Sequence, residues 1–424
     1  MLTALLAFIV LLLLRVPIAL VLGIVTVLYI IISGSMGMLD TVPQRLFSGL
    51  ENYSLLAISL FMLAGEIMNS GGITRRLVGF AQVLVGHFRG GLAYVNVVSN
   101  MLLASIIGSA NAQIAMMSRT MVPAMEKEGY DRGFSSATTA ASGLLGPIIP
   151  PSMLFIIYGV TSGTSIGAMF LAGILPGLLL GFSFVGLIAY LGYKEKWGSQ
   201  RRKSLKEVSK SFFNVIPALS VPLIIILGII TGAFTPTESA AVACAVAFVT
   251  GFAFYRELQI KNIPKIMVNT AITTATVTLL IGMANVFGWL LSRERLPQEF
   301  ADWMMTLTEN PLVFLLLLNV FLLLVGMVLD GIAALIILVP IFMPMLATYG
   351  IDPIHFGVII CLNLAIGLLT PPIGAGLFIA SSISEVRIER LTRAILPFLI
   401  VSILGLLLVT YVPQLVTWLP NLLN

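Results

Sequence analysis

The sequence predicts an all-α integral membrane protein. About 10–11 transmembrane helices and two re-entrant helical hairpins are expected, arranged as an inverted repeat. Three observations predict it. The 424 residues are 58% hydrophobic and only 10% charged, with a mean hydropathy of +1.07, whereas soluble domains run about 25% charged. Two apolar stretches carry matching breaks, G-P-I-I-P-P at Gly146–Pro151 and G-L-L-T-P-P at Gly367–Pro372, 221 residues apart. Finally, the halves align without a gap at that offset. Ala112, Pro123, Gly129, Asp131, Gly146, Pro150, Pro151, Ile174, Leu175 and Pro176 recur as Ala333, Pro344, Gly350, Asp352, Gly367, Pro371, Pro372, Ile395, Leu396 and Pro397.

The elements follow in order. Leu2–Ser33 is too long for one straight span and Arg15-Val16-Pro17 interrupts it, which predicts a short first helix and a second from Pro17. Spans are expected at Tyr53–Met68 and Ile73–His87, completing scaffold helices within residues 1–88. In 92–127 two short apolar arms flank the small polar turn Gly108–Asn111, the pattern of a re-entrant hairpin. A broken helix over 131–162 and a long helix over 166–193 close a first repeat, residues 1–193. Residues 194–210 hold seven basic residues against Glu195 and Glu207 and read as a cytoplasmic linker. The second repeat, 211–424, reads as spans at Phe213–Ile230, Glu238–Phe254 and Ile266–Leu291, then an interfacial amphipathic helix over Arg293–Glu309. A second hairpin (312–349, turn Gly326–Gly331), a broken helix (353–384) and a last span (Ala394 to about Leu419) complete it.

Threading from a cytoplasmic linker places 17 of the 23 basic residues on the linker side, Arg45 among them. Arg75, Arg76, Arg293 and Arg295 fall on the other side. The hairpins then enter from opposite faces. The apolar N-terminus has no basic n-region or cleavage site and reads as retained.

Irregular backbone at membrane depth is tolerated where protein or a polar cavity receives it, and paired breaks in two halves mark the substrate and ion site of a secondary transporter. Na⁺ is a hard cation suited to oxygen ligands. Carbonyls freed by Pro147, Pro150, Pro371 and Pro372 qualify, as do the side chains of Ser105, Ser109, Asn111 and Thr370. Two ion sites are expected, one between the first hairpin tip and Gly143–Ile148 (Gly143, Gly146, Pro147), the other between Gly326–Asp330 and Gly367–Thr370. The half-helices resuming after Pro151 and Pro372 begin with free N–H groups that suit a carboxylate. Ser152 adds a hydroxyl donor, and Ser109 and its counterpart Asp330 flank the same space. An intramembrane acid is functional by default.

Other polar residues have plainer readings. Asn111 can cap a helix, and Glu66 and Glu238 can face water at helix ends. His87 and His355 read as interfacial, Arg387–Arg393 as a surface loop, and Cys244 and Cys361 as small core residues. No H-E-x-x-H, G-x-S-x-G or P-loop is present. An enzyme and an ATP-driven pump are therefore disfavoured, and nothing suggests a nucleic-acid partner.

Leu63–Ile73, Pro123–Arg132, Gly146–Ser152, Phe170–Gly177 and Thr235–Ala241 together resemble the large membrane subunit of tripartite ATP-independent periplasmic (TRAP) transporters, and the resemblance covers nearly the whole chain. It implies an elevator-type, Na⁺-driven importer of an organic acid (a sialic acid or a C4-dicarboxylate) in the bacterial inner membrane, with two or more coupling ions. It also implies a small four-helix membrane subunit, a periplasmic binding protein and surrounding lipid as partners. The alternative is a stand-alone Na⁺-coupled carboxylate carrier without a binding protein.

Overall fold

The computed structural model describes residues 2–14, 16–195, 197 and 202–423; Arg15, part of the interruption noted above, and Lys196 and Arg201, used in the threading, lie outside them. The described residues form α-helices joined by short turns, with no strand. In order these are α1 (Leu2–Leu13), α2 (Ile18–Ile32), α3 (Thr41–Leu50), α4 (Leu55–Ser70), α5 (Ile73–Val85), α6 (Gly91–Ile107), α7 (Ala110–Lys127), α8 (Arg132–Gly143), α9 (Met153–Ser162) and α10 (Ile166–Lys194). Then come α11 (Leu205–Ile230), α12 (Pro236–Val249), α13 (Ile263–Arg293), α14 (Leu296–Leu307), α15 (Pro311–Val328), α16 (Gly331–Tyr349), α17 (Pro353–Gly367), α18 (Ala375–Ser384), α19 (Ile388–Tyr411) and α20 (Gln414–Leu423). Seven helices are long and apolar enough to cross a membrane alone, eight if the bent pair Met36–Leu50 and Leu55–Ser70 counts as one. The chain is a multi-pass membrane protein.

The 221-residue offset extends to the helix ends. Shifted by it, the end of α6 falls on the end of α15, and the start of α7 falls on the start of α16. Asp131 caps α8 by accepting from Phe134 N–H, and its counterpart Asp352 caps α17 by accepting from Ile354 and His355. Pro150-Pro151 and Pro371-Pro372 are both cis.

The repeats are interwoven. α7 packs on its own α8 and also on α18 of the other half; α16 packs on α9 in return, and α19 on α8. These elements form one body with α10, α15, α17 and α20. A second group, α2–α5 with α11–α13, packs beside it through α5 on α6 and α13 on α16.

Side-chain ties fix which ends share a face. Trp197 of the linker rings against Tyr130 and Phe134, so α6 starts and α7 ends on the linker face. The Tyr349 hydroxyl donates to Thr308 O and the Tyr411 hydroxyl to Leu312 O, so α15 starts and α16 ends on the opposite face. The two helix pairs therefore enter from opposite sides.

Four expectations need correction. α5 is no span. At 13 residues it covers about 20 Å against a core of about 30 Å, and both its ends lie at the linker face. Arg76 bonds Glu257 at 2.8 Å, beside Tyr255, whose hydroxyl reaches Asn214 O near the start of α11. At the other end Gly90 abuts Trp197. α5 buries Ile73, Leu77, Phe80 and Ala81, the one-sided spacing of a surface amphipathic helix. Arg75 and Arg76 therefore belong on the linker face. Arg45 moves the other way: its carbonyl accepts from Asn285 and its guanidinium lies 5.8 Å over Trp289, near the far end of α13. With these changes the linker face holds 16 described basic residues. The opposite face holds Arg45, Arg293 and Arg295 against Asp40, Glu51, Glu238, Glu294, Glu299, Asp302, Glu309 and Asp352.

The third correction concerns helix limits. α11 starts at Leu205, because Ser204 and Glu207 form a reciprocal capping box that turns Lys206 and Lys210 into helical residues. α19 starts at Ile388, so Arg387–Arg393 are a helix start and not a loop; Arg390 pairs with Asp131 and ties the two halves. The last span ends at Tyr411, and α20 is a separate short helix. His355 is buried and hydrogen-bonds Val409 O at 2.9 Å, so it is a core residue where an interfacial one was expected.

Arg76 joins the α4–α5 turn to the loop before α13, bonding Gly72 O and Glu257 and stacking 3.8 Å over Tyr255. Arg76→Ala should cost about 2 kcal/mol, visible as a lower unfolding temperature of the detergent-solubilised protein. An unshifted midpoint would mean that the cluster does not hold the turn in place.

Candidate functional site

The two turns and two breaks meet. Gly108, at φ +62° in the first turn, lies where a Cβ would approach Pro151 O at 3.1 Å, and its carbonyl accepts from Met153 N–H at the start of α9. Gly146 faces Ser109 and Gln113. In the other half Gly326 and Gly367 touch backbone to backbone. The halves also meet each other: Ile114 of α7 lies against Gly143 and Gly376, and Leu154 of α9 against Gly331. Gly143, Gly146, Gly326, Gly367 and Gly376 permit approaches that a side chain would crowd, whereas the Leu154–Gly331 contact has ordinary room.

A cavity of about 350 Å³ opens where this cluster faces the second helix group. Ser105, Gly108, Ser109, Pro151, Met153 and Ile332 line one wall; Glu66, Asn69, Asn269, Thr270 and Thr273 line the other. It lies in the linker-side half, because α4 ends and α13 starts there. Of the residues expected at the site, Ser105, Ser109 and Pro151 reach this cavity; Gly143, Gly146, Pro147, Gly326, Asp330, Gly367, Thr370 and Pro372 sit in the surrounding turns and breaks. Asp330 is exposed at its tip and caps α16 by accepting from Ile332 N–H at 3.1 Å.

Several expected donors and acceptors are already engaged. Ser152 is fully buried; its hydroxyl donates to Pro147 O and accepts from Phe155 N–H. That removes Ser152 as a free donor and leaves Pro147 O one lone pair. The Thr370 hydroxyl donates to Ile366 O and the Ser105 hydroxyl to Leu102 O, which leaves their oxygens able to accept.

Two buried networks went unread in the sequence. Asn96 donates to Thr139, Asn100 to Asn96 and Gln113 to Asn100; in the other half Asn363 donates to Asn319 and Asn319 to Thr410. In each, one buried carboxamide oxygen has no donor: Gln113 Oε1 beside Gly146, and Asn363 Oδ1 one turn before Gly367. Asn111 Oδ1 and Thr270 Oγ1 are buried without a partner too. The signal available in sequence was an amide side chain inside a strongly apolar helix. Glu66 is exposed near the end of α4, as expected, and also lines the cavity wall, while Glu238 stands in the capping box that starts α12. Among the described residues no three His, Cys, Asp or Glu side chains gather as a metal site, and both cysteines are free.

Interwoven halves, two helix pairs entering from opposite faces, and a turn and break lining a cavity define a membrane-transporter architecture. The chain belongs to the family of the DctM component of tripartite ATP-independent periplasmic transporters, whose model matches residues 5–415. It is 40% identical over 406 residues to the sialic acid TRAP transporter large permease protein SiaM of Vibrio cholerae, covering 96% of this chain and 95% of that one. It is 38% identical to the C4-dicarboxylate TRAP transporter large permease protein DctM of Pseudomonas aeruginosa, covering 90% and 89%. These relatives are transporter permeases and not enzymes. Among solved structures, the YdaH transporter of Alcanivorax borkumensis shares the fold at a TM-score of 0.65 and 16% identity, over 96% of this chain.

Proposed function

We propose that the chain is the large subunit of a Na⁺-coupled importer of an organic acid in the bacterial inner membrane. A small four-helix subunit and a periplasmic binding protein work with it, the latter delivering the acid. The relatives' names favour a sialic acid or a C4-dicarboxylate as cargo. The observation that carries the reading is the packing of each turn against its own break, the first pair lining a cavity together with Ile332 of the second half, with a buried, donorless carboxamide oxygen in each half. A buried acceptor without a donor is costly. A cation removes that cost, and oxygen ligands suit Na⁺. In the first half Gln113 Oε1 with the carbonyls near Gly143–Pro147 would hold one ion; in the second, Asn363 Oδ1 with the Gly326–Asp330 and Gly367–Thr370 segments would hold another.

Filling these sites would fix each turn against its break, so the cavity reaches its acid-binding form with the ions present. That is coupling by preorganisation. Gly108 and Ser109 line the cavity beside the start of α9, where backbone N–H groups favour an anion. Movement of the interwoven body along the α2–α5 and α11–α13 group would carry cavity and ions together, as in an elevator.

The test is uptake of labelled N-acetylneuraminate and succinate by proteoliposomes holding both membrane subunits, with the binding protein outside. One acid should accumulate only under an inward Na⁺ gradient. Accumulation undiminished by replacing Na⁺ with choline would overturn the coupling, and accumulation without the binding protein would favour a stand-alone carrier.

A further inference from the structure

A second chamber, of about 470 Å³, lies at the other end of the same interface. Arg45, Ser48, Asn52, Asn285, Trp289 and Thr161 line it. One turn of each of three helices separates it from the first cavity. Ile156, Val277 and Ile332 line the first; Val160, Ile281 and Ile336, each four residues on, line the second. Four residues of helix rise about 6 Å, so a thin apolar septum divides the inner cavity from this more polar chamber.

The charge of this chamber is unlike its surroundings. It opens on the face opposite the linker, where eight acidic residues outnumber three arginines. Yet Arg45 lines the chamber, no acidic side chain does, and Arg45 makes no ion pair among the described residues. The arginine is held in place. Asn285 Nδ2 donates to Arg45 O at 2.8 Å, Gly49 seats the Asn285 side chain, and Trp289 lies under the guanidinium. An unneutralised guanidinium in a polar recess is a carboxylate receptor.

We propose that the Arg45 chamber is a second anion-binding station, on the outward side of the septum, that receives the carboxylate of the acid before it reaches the inner cavity. The identity of the anion as cargo rests on the function proposed above; the anion selectivity of the chamber does not. Arg45 concentrates the anion against the repulsion of the acidic face. Asn52, Ser48 and Asn285 offer hydrogen bonds to its remaining polar groups.

The test separates the two claims. Ser48→Cys is introduced with Cys244→Ala and Cys361→Ala, and modified in intact spheroplasts by an anionic and a cationic methanethiosulfonate reagent. The anionic reagent should react about tenfold faster relative to its rate with a free thiol, and adding Arg45→Gln should abolish that preference while Arg45→Lys keeps it. In proteoliposomes Arg45→Gln should raise the half-saturating concentration of the transported acid about tenfold without moving that of Na⁺. No anionic preference at Ser48→Cys, or an unchanged half-saturation in Arg45→Gln, overturns the proposal. An anionic preference in a protein that shows no Na⁺-driven uptake would instead overturn the transport reading and leave the anion station standing.

Discussion

Gly367→Ala should reduce uptake at least about tenfold and lower the unfolding temperature of the purified subunit. A Cβ on residue 367 would lie 2.6 Å from both the Cα and the carbonyl carbon of Gly326. Those are backbone atoms of a helix end, so no side-chain rotation relieves the clash; α15 and α17 must part. Overpacking of this kind costs about 1–3 kcal/mol, and here it also opens the contact between the second turn and its break. The first half provides the control. A Cβ on Gly146 would meet Gln113 Oε1 at 2.5 Å, the far end of a side chain that yields by loosening its Nε2 bonds to Asn100 while the backbone stays in place. Gly146→Ala should therefore leave the unfolding temperature closer to wild type, though uptake falls where Gln113 Oε1 is an ion ligand. Initial uptake rates and fluorescence-detected thermal unfolding of both variants check the order. Equal unfolding temperatures would show that the Gly326–Gly367 contact is not the rigid one.

What the sequence discloses here is what local chemistry dictates. Clustered glycine and paired proline interrupt helices where single prolines such as Pro176 and Pro397 do not, so both turns and both breaks could be located to within a few residues. Asp131 and Asp352 were legible as matching positions of the repeat, and the structure adds that each caps its helix. The length of α13 and the amphipathic α14 were legible because hydropathy and charge run along one segment. What failed depended on partners far away in the chain. Residues 73–85 are apolar enough to resemble a span; only the Arg76–Glu257 bond and the Gly90–Trp197 contact show that both ends share one face. That single misreading also placed Arg45, Arg75 and Arg76 on the wrong sides. Correcting it sharpens the charge asymmetry, as basic loops retained on the cytoplasmic side require.

The site divides likewise. Backbone turns were visible, because Gly108, Gly146 and Gly367 are needed for close approach. The engagement of Ser152 with Pro147 was not visible, since it depends on the fold of the break itself. Nor were Glu66, Asn269 and Thr273, which become cavity walls only when α4 and α13 pack against the first turn. Gln113 and Asn363 stand between these cases. An amide inside an apolar helix is conspicuous in sequence, but which of its atoms lacks a partner is a property of the packed structure.

Asp330 offers the sharpest separation of structure from chemistry. Its carboxylate caps α16 by accepting from Ile332 N–H, and its counterpart in the first half is the uncharged Ser109, whose side chain makes no capping bond. The second turn therefore carries a charge that helix capping does not require, since asparagine caps as well as aspartate. Asp330→Asn keeps an acceptor for Ile332 N–H and removes the charge; Asp330→Ala removes both. If the acid serves only the helix, the asparagine variant transports like wild type and the alanine variant loses about 1 kcal/mol of stability. If the charge helps bind Na⁺ in the second half, both variants lose uptake by about a hundredfold, the equivalent of ~2.7 kcal/mol, while only the alanine variant unfolds earlier. The second pattern is expected. Raising Na⁺ tenfold should restore part of the asparagine variant's rate, because a weakened ion site is refilled by mass action. Wild-type uptake by Asp330→Asn would move the coupling ion away from this turn, and a rate that stays flat as Na⁺ rises would assign Asp330 to the acid instead.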